Sequence, residues 1–498
     1  MNIKRISTYL LVFTISLSGC KKYLDTLPDT RTELNTVDKI RTLLATAYPQ
    51  GAYQKIAEIM SDNAQDKGPA SNTKVMDQTY FSFGDFVSDE GTQDGTVMYW
   101  SAAYAAVAAA NAALDAIAKA PNPNDYSAEK GEALLCRAYA HFMLTTLFAK
   151  PYDEAQSKSD PGIPYVTKPE TVVFGNYSRG TVQEDYDHIE QDILEGLPLI
   201  NDDIYKVPKY HFTKAASNAF AARFFLYKKD YQKAVNYASA VFPSNAFAPN
   251  MRPWLTVYPT YTVNEFEQNY TKATQNANLL LIECSSLWAR DYYASRFGFA
   301  PDMYSSTFFT GSNPAGISPG RWIQTTWVYI INGQSNNVIP KWNEYFYAPD
   351  NPNYGTPYIM APVLTTEEVL FNRAEAYIYL GDYTNALKDL NLYVSQRVSN
   401  YKTSDNITEA KAKTYAGTND VKEALIQSLL YLKRIEYIQE GMRWFDILRY
   451  DIPVVHKELD INLHVTKTYT LAPGDGRRQW QIPQSAQNAS GLEPNPRP

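Results

Sequence analysis

Apolar residues recur every three to four positions along much of the chain, which is the spacing of amphipathic helices. The first such stretch begins at about Thr36, and its apolar positions are Val37, Ile40, Leu43 and Leu44. Longer stretches cover residues 98–120, which are rich in alanine, residues 128–149 and residues 419–450. Because alanine has the highest helix propensity, the first of these three is a strong helix prediction.

Two segments, 222–234 and 374–386, share one spacing of small, aromatic and turn residues. Their matching positions are Ala222, Phe225 and Ala234 in the first, and Ala374, Tyr377 and Ala386 in the second. This spacing is typical of tetratricopeptide hairpins, in which small residues let two helices approach closely. We therefore predict an all-α fold of tetratricopeptide-like helical hairpins with a large loop-rich embedded region.

The helical pattern breaks between residues 242 and 362, a stretch that we call the insertion. It is rich in Asn, Gly, Pro, Ser, Thr and tryptophan. A long irregular segment in a compact protein is either disordered or functional, and the aromatic content argues against disorder. The chain is thus predicted to contain a helical part at 20–241, a ligand-binding insertion at 242–362 and a second helical part at 363–498.

The N-terminus has the features of a bacterial lipoprotein signal. Lys4 and Arg5 precede an apolar run, and the run ends in Leu17-Ser18-Gly19-Cys20. The run is too short to span a bilayer. Residues 1–19 are therefore predicted to be removed, and Cys20 is predicted to carry the lipid.

Composition excludes several classes of function. The net charge is -7 and no basic stripe occurs, so nucleic-acid binding is not expected. The mean hydropathy of -0.39 fits an exported soluble body. Cys136 and Cys284 are predicted to be buried and unpaired.

The insertion also contains the best candidates for ligand binding. Flat aromatic rings pack on the C–H faces of sugar rings, and polar side chains can bind the hydroxyl groups. The predicted ligand-binding residues are Trp288, Tyr292, Tyr293, Arg296, Tyr304, Trp322 and Trp327, with Asp66 from the polar loop Asp62–Lys67. Some of the tryptophans could instead anchor the insertion to the core. If the site lies elsewhere, the polar loop with Tyr80, Phe81 and Phe83 is the next candidate.

No motif indicates catalysis, a resident metal or a cofactor. The sequence has no HExxH, GxSxG, Walker or GxGxxG pattern. The polar loop offers oxygen ligands but lacks the spacing of an EF-hand. Near the C-terminus, the pairs Glu440–Arg443 and Asp446–Arg449 are predicted to form ion pairs on one helix and to tie it to the repeats.

Several segments, in order along the chain, resemble the SusD/RagB family of outer-membrane nutrient-binding lipoproteins. They are Cys20-Lys21-Lys22-Tyr23-Leu24-Asp25, Tyr99-Trp100 with Ala110-Asn111, Arg137-Ala138-Tyr139, Arg373-Ala374-Glu375-Ala376-Tyr377, Arg443-Trp444-Phe445-Asp446-Ile447 and Ile482-Pro483-Gln484. The usual closing Asn-Pro-Gly is replaced by Asn488-Ala489-Ser490.

The resemblance implies a helical, lipid-anchored protein at the outer membrane and cell surface. It implies a SusC-like TonB-dependent transporter as partner, and an oligosaccharide or, in some branches, a peptide as ligand. We therefore expect a binding protein and not an enzyme. The alternatives are a surface glycan hydrolase, a peptide-binding member, and a repeat adaptor without a glycan site.

Overall fold

A computed structural model describes residues 33–69, 73–86, 92–170, 175, 177–323, 327–331, 334–351 and 354–498. Within these ranges, the description excludes the side chains of residues 327, 330, 331, 334, 335, 349–351 and 354. The contacts separate Met1–Thr36 from Val37–Pro498, and the second unit contains the fold described below. The predicted signal peptide and Cys20 lie outside the described residues.

Helices account for most of the regular structure. They are α1 (Val37–Leu44), α2 (Gln54–Met60), α3 (Val75–Phe81), α4 (Thr96–Lys119), α5 (Ser127–Phe148), α6 (Val182–Gly196), α7 (Lys214–Tyr227), α8 (Tyr231–Val241), α9 (Val263–Tyr270), α10 (Trp288–Asp291), α11 (Pro301–Ser305), α12 (Thr366–Tyr379), α13 (Tyr383–Ser395), α14 (Glu409–Ala416), α15 (Val421–Glu436), α16 (Met442–Arg449) and α17 (Gln484–Ser490).

Short strands form small sheets between and beside these helices. They are β1 (Gln65–Asp66), β2 (Asn278–Ser285), β3 (Phe297–Gly298), β4 (Trp327–Ile331), β5 (Gln334–Val338), β6 (Tyr345–Asn351), β7 (Tyr354–Thr365), β8 (Val454–Leu459) and β9 (Val465–Leu471). The largest described sheet has the order β2-β7-β6, and β1-β3, β4-β5 and β8-β9 are two-stranded. All of these pairings are antiparallel.

The helical core is built around α5, which is buried on almost all sides. A helix that is apolar all round belongs in the interior of a large domain. Helices α4 and α6 pack against α5. By length and composition α4 could cross a membrane, and in the structure it is a partly buried helix of this core.

Both predicted repeats form helical hairpins, α7–α8 and α12–α13. Ala222 and Ala374 are fully buried. Each second helix begins at an aspartate N-cap, Asp230 or Asp382, whose side chain accepts a backbone N–H. The helix-rich part of the fold prediction is confirmed, while the tetratricopeptide assignment of the hairpins stays a prediction.

The prediction that the fold is purely all-α is wrong, because much of the insertion is β-structure. In the sheet β2-β7-β6, Cys284 lies opposite Ile359 and both are buried, whereas Glu283, opposite Met360, is exposed. Side chains of a strand alternate between faces with a period of two, and β2 shows this alternation at its end, whereas residues 278–282 are all buried. In the sequence, Leu279–Ile282 was compatible with either a strand or a helix.

The helix predicted at 419–450 is two helices, α15 and α16. Gln439 and Gly441, between them, have positive φ of 68° and 75°, a conformation that no right-handed helix contains. At Gly441 a Cβ atom would lie 2.8 Å from the carbonyl oxygen of Gln54, so only glycine fits this close approach.

The break between the two helices changes the predicted ion pairs, and both predicted pairs are wrong. Because Glu440 precedes α16, it pairs with Lys341 at 2.6 Å instead of with Arg443. Arg443 pairs with Asp62 at 2.8 Å, and Arg449 pairs with Glu375 at 2.6 Å. Asp446 pairs with Lys433. These charges do tie α16 to other elements, including the α12 hairpin.

Candidate ligand-binding site

The structure brings together the two segments that the sequence offered as separate candidates, the polar loop and the insertion. Strand β1 of the polar loop pairs with β3 of the insertion, and Asp66 lies opposite Phe297. Arg296 donates two hydrogen bonds of 2.7 Å to the Asp66 carboxylate. A bidentate arginine–carboxylate pair has fixed geometry, so it holds the loop against the insertion.

The remaining contacts of Asp66 and Arg296 are also structural. The backbone N–H groups of Gly68 and Leu459 both donate to the Asp66 carboxylate at 2.8 Å. Arg296 also donates to the carbonyl oxygen of Leu459. Asp66 therefore connects the polar loop, the insertion and strand β8.

A second charged cluster fixes the short helix α10. Lys55 is fully buried and pairs with Asp77 at 2.8 Å and with Asp291 at 2.6 Å. Lys74 also pairs with Asp291, at 2.6 Å. Burial alone would lower the pKa of Lys55, but the carboxylates of Asp77, Asp94 and Asp291 raise it above its ordinary value. Lys55 is therefore held as a cation that joins α2, α3 and α10.

The third anchor of the insertion is Gln439, which the sequence analysis missed. Its backbone carbonyl accepts the indole N–H groups of Trp288 at 3.1 Å and Trp342 at 2.9 Å. Its backbone N–H donates to Glu58 at 2.8 Å, and its side-chain oxygen accepts the N–H of Ile339. The glycine at 441, two residues on, is the sequence signal that could have indicated a tight, buried turn here.

Glu58→Gln is expected to remove part of the pH dependence of stability. Burial raises the pKa of Glu58 to about 7, although the N–H groups of Gln439 and Gly441 oppose the shift. Because its pKa is higher in the folded chain than in the unfolded chain, Glu58 favours the folded state at low pH. This stability is lost as the pH rises through about 7.

Thermal unfolding followed by circular dichroism between about pH 5 and pH 8 measures this effect. We expect the melting temperature of the wild type to fall more steeply with rising pH than that of Glu58→Gln. The variant can be less stable than the wild type at every pH, because its amide offers only one acceptor oxygen. The test therefore compares how steeply the melting temperature changes with pH, and not the melting temperatures themselves. Equal slopes would show that Glu58 does not titrate as described.

Most of the predicted ligand-binding residues are buried. Trp288 is 1% exposed and Tyr292 3% exposed. Arg296, Trp322 and Asp66 are 6%, 7% and 7% exposed. In this conformation these side chains lie beneath the surface, and whether a ligand touches them stays a prediction.

Tyr293, Tyr304 and Tyr329 of the insertion are half-buried and reach its surface. Tyr293 meets Tyr329 edge-on, with ring centroids 4.7 Å apart and an angle of 82° between the planes. Tyr329 lies in β4 and Tyr304 in α11. Trp327 begins β4, but its side chain is outside the described part of the chain.

The polar loop holds the hairpin that carries Tyr329. Asn336 in β5 lies opposite Tyr329, and the ammonium group of Lys67 donates a hydrogen bond to the Asn336 side chain. The sequence Asn332-Gly333 between β4 and β5 is a strong hairpin signal, which the sequence analysis did not use.

The polar loop also lines a cleft of about 640 Å³, together with residues 300–302, parts of β8 and Leu463. Asp302 and Lys457, both exposed, contribute charges of opposite sign to its wall, whereas Lys67 is buried in it. Burial lowers the pKa of Lys67 to about 8. We call Lys67, Tyr293, Asp302, Tyr304 and Tyr329 the insertion face. Its half-buried rings can pack on an apolar ligand face, and the exposed Asp302 carboxylate can accept hydrogen bonds from hydroxyl groups.

The carboxylates of the polar loop are engaged by arginines. Burial would raise the pKa of Asp62, but Arg443 and Arg434 lower it to about 2. Arg443 donates two hydrogen bonds to this carboxylate, at 2.8 and 3.0 Å. Across the described residues, no group of three or more His, Cys, Asp or Glu side chains is arranged to hold a metal ion. Cys136 and Cys284 are buried and free, as predicted.

Two family models match this chain. One is a SusD-like model, described as "starch-binding associating with outer membrane", and it matches residues 22–226. The other, described as the SusD family, matches residues 301–493. Between them they cover most of both helical parts and the second half of the insertion.

Similar proteins span nearly the whole chain. A SusD-like protein of Formosa agariphila, named P38, is 24% identical over 90% of this chain and 91% of its own length. A SusD superfamily structure from Bacteroides thetaiotaomicron has a TM-score of 0.67 at 19% identity, covering 93% of this chain and all of its own. A Bacteroides vulgatus structure titled as a sugar binding protein has a TM-score of 0.69 at 19% identity, covering 93% of this chain and 99% of its own. These two likenesses show the fold.

Proposed function

This chain belongs to the SusD/RagB family, and from that premise we propose that it is a carbohydrate-binding protein of the outer membrane. Its ligand is an oligosaccharide, and its task is to deliver that ligand to a TonB-dependent transporter. It binds and does not cleave.

The observation that carries the proposal is the insertion face. Its half-buried tyrosines lie on segments that adjoin a cleft. Tyr304 shares α11 with Asp302 of the cleft wall, and Asn336, opposite Tyr329, accepts a hydrogen bond from Lys67. Sugars combine apolar C–H faces with many hydroxyl groups, so they need rings and polar groups side by side. In this proposal Trp288, Tyr292, Arg296, Trp322 and Asp66 support the face, and strand β4 with Trp327 forms one edge of it.

The rigid support of the face favours binding. Ion pairs at Asp66 and Asp291 and the indole hydrogen bonds to Gln439 fix the insertion to the rest of the fold. A surface that is already ordered loses little entropy when a ligand binds. Irregular segments on a rigid scaffold are also where binding residues concentrate.

The proposed function is tested by screening the purified protein on an array of neutral oligosaccharides, followed by calorimetry on those that bind. We expect at least one of them to bind and to remain intact. Release of new reducing ends would favour the hydrolase alternative, and binding to peptides but not to any glycan would favour the peptide-binding alternative.

Cys20→Ala is expected to release the protein from membranes without changing its fold. In this proposal the lipid on Cys20 is the only anchor, and acylated chains are what hold such soluble bodies to a bilayer. Fractionation of cells that lack the transporter measures the effect, and circular dichroism of the purified protein is the control. A variant that stays in the membrane fraction, or still incorporates radiolabelled fatty acid, would contradict the assignment.

A further inference from the structure

The open face of the sheet β2-β7-β6 forms a second cleft, remote in sequence from the polar loop. Tyr345 lies opposite Tyr358, and Glu283 lies opposite Met360, two residues further along β7. Tyr210 approaches from the segment before α7. The cleft has a volume of about 340 Å³, within the range of small-ligand sites. We call Tyr210, Glu283, Tyr345 and Tyr358 the tyrosine cleft.

The side-chain polar groups of Tyr210, Glu283, Tyr345 and Tyr358 have no hydrogen-bond partner among the described residues. The rings of Tyr345 and Tyr358 stack with centroids 5.3 Å apart and 16° between their planes. Glu283 is exposed, and Tyr210 is 38% exposed. Burial and then the neighbouring Glu283 carboxylate raise the pKa of Tyr358, which agrees with hydroxyl and carboxylate groups lying close together. The floor of the cleft includes the buried side chain of Leu281.

We propose that the tyrosine cleft is a second binding subsite, for a neutral sugar ring. This inference rests on the proposed carbohydrate-binding function and adds a site to it. Two stacked tyrosines offer a flat apolar surface, and three hydroxyl groups with a carboxylate offer donors and acceptors for sugar hydroxyls.

The charge of the cleft selects among ligands. None of its described lining residues is a lysine or an arginine, and Glu283 is negative. An anionic sugar would therefore meet an unpaired carboxylate, whereas a neutral sugar can donate to it. The cleft shares no lining residue with the cleft of the insertion face. A long oligosaccharide could thus be held at two separate points, which raises avidity.

Saturation-transfer NMR on the full-length protein with methyl β-D-glucopyranoside tests the subsite. This simple probe suffices because ring stacking depends little on the identity of a neutral pyranose. We expect Tyr358→Ala and Tyr345→Ala each to reduce the saturation transfer that the tyrosine cleft contributes to the glycoside signal, by at least about fivefold. Tyr347→Ala is the matched control, since Tyr347 is 64% exposed on the same strand and lies outside the cleft lining.

The insertion-face variant Tyr293→Ala/Tyr329→Ala separates the two sites. We expect this double variant to keep the part of the saturation transfer that comes from the tyrosine cleft. Adding Tyr358→Ala to the double variant should abolish the remaining transfer. If a tyrosine variant fails to fold by circular dichroism, Glu283→Gln replaces it, because Glu283 is exposed.

Three results would overturn the subsite. The first is saturation transfer to the glycoside that no cleft variant changes. The second is binding of cationic glucosamine without binding of the neutral glycoside. The third is the absence of any transfer from the wild-type protein to the glycoside. Each of these leaves the proposed function standing, because the array screen tests that function independently.

Discussion

Arg397→Met is expected to lower the free energy of unfolding by about 3–5 kcal/mol, the largest change in stability expected here. Arg397 is 1% exposed and donates to Glu436 at 2.8 and 3.0 Å and to Glu367 at 2.8 Å. The substitution leaves two carboxylates buried without their cation. Removing one partner from a buried charge network costs far more than the intact network contributes.

Urea denaturation measures this loss, and Lys119→Met is the matched control. Lys119 is 74% exposed and pairs with Asp115, which is 42% exposed. Because surface ion pairs contribute about 0–1 kcal/mol, the control should unfold near the wild-type midpoint. If the two variants lose similar amounts of stability, the buried network does not hold the segment after α13 to α12 and α15.

Tyr293→Ala/Tyr329→Ala is expected to weaken oligosaccharide binding by roughly tenfold or more, the largest functional effect of a substitution in the insertion. The two rings meet edge-on at 4.7 Å and together form the aromatic centre of the insertion face. Truncating an aromatic anchor often costs about 2 kcal/mol or more, and about 1.4 kcal/mol corresponds to tenfold in affinity.

Calorimetry with a glycan from the array screen measures the change in affinity. Tyr347→Ala controls for loss of an exposed tyrosine, and thermal unfolding controls for damage to the fold. The binding site would lie away from the insertion face if the double variant kept the wild-type affinity and Trp322→Ala and Trp327→Ala also left the affinity unchanged.

The sequence predicted the helices well because their signals are local. The structure has α4 at Thr96–Lys119 and α5 at Ser127–Phe148, close to the predicted 98–120 and 128–149. Alanine content and helical periodicity act within one element, so no knowledge of neighbours is needed. The hairpins at both repeats followed from the same kind of signal.

The strands and the turn at Gln439 were not predicted, because their causes are not local. Strands β2 and β7 pair across about eighty residues of sequence, and a short apolar run is ambiguous between strand and buried helix. The break before α16 depends on Glu58, which lies far away in the sequence, in α2. Its carboxylate accepts hydrogen bonds from the backbone N–H groups of Gln439 and Gly441. The spacing of apolar residues along the chain carries no information about a contact between segments so far apart in sequence.

The candidate site was predicted as a region more than as a set of residues. Aromatic content pointed to the insertion, but could not separate Trp288, which is buried, from Tyr293, which reaches the surface. That difference is set by tertiary packing, as in the hydrogen bond from Trp288 to Gln439. The contact of Asp66 with Arg296 likewise joins residues far apart in sequence.

The central claim, that the insertion face binds an oligosaccharide, is tested most directly by a crystal structure of the protein with a glycan from the screen. The account predicts a sugar ring packed on Tyr293 or Tyr329, with hydroxyl groups within hydrogen-bond distance of the exposed Asp302 carboxylate. Glycan density confined to another surface, with the insertion face empty at saturating ligand, would contradict it.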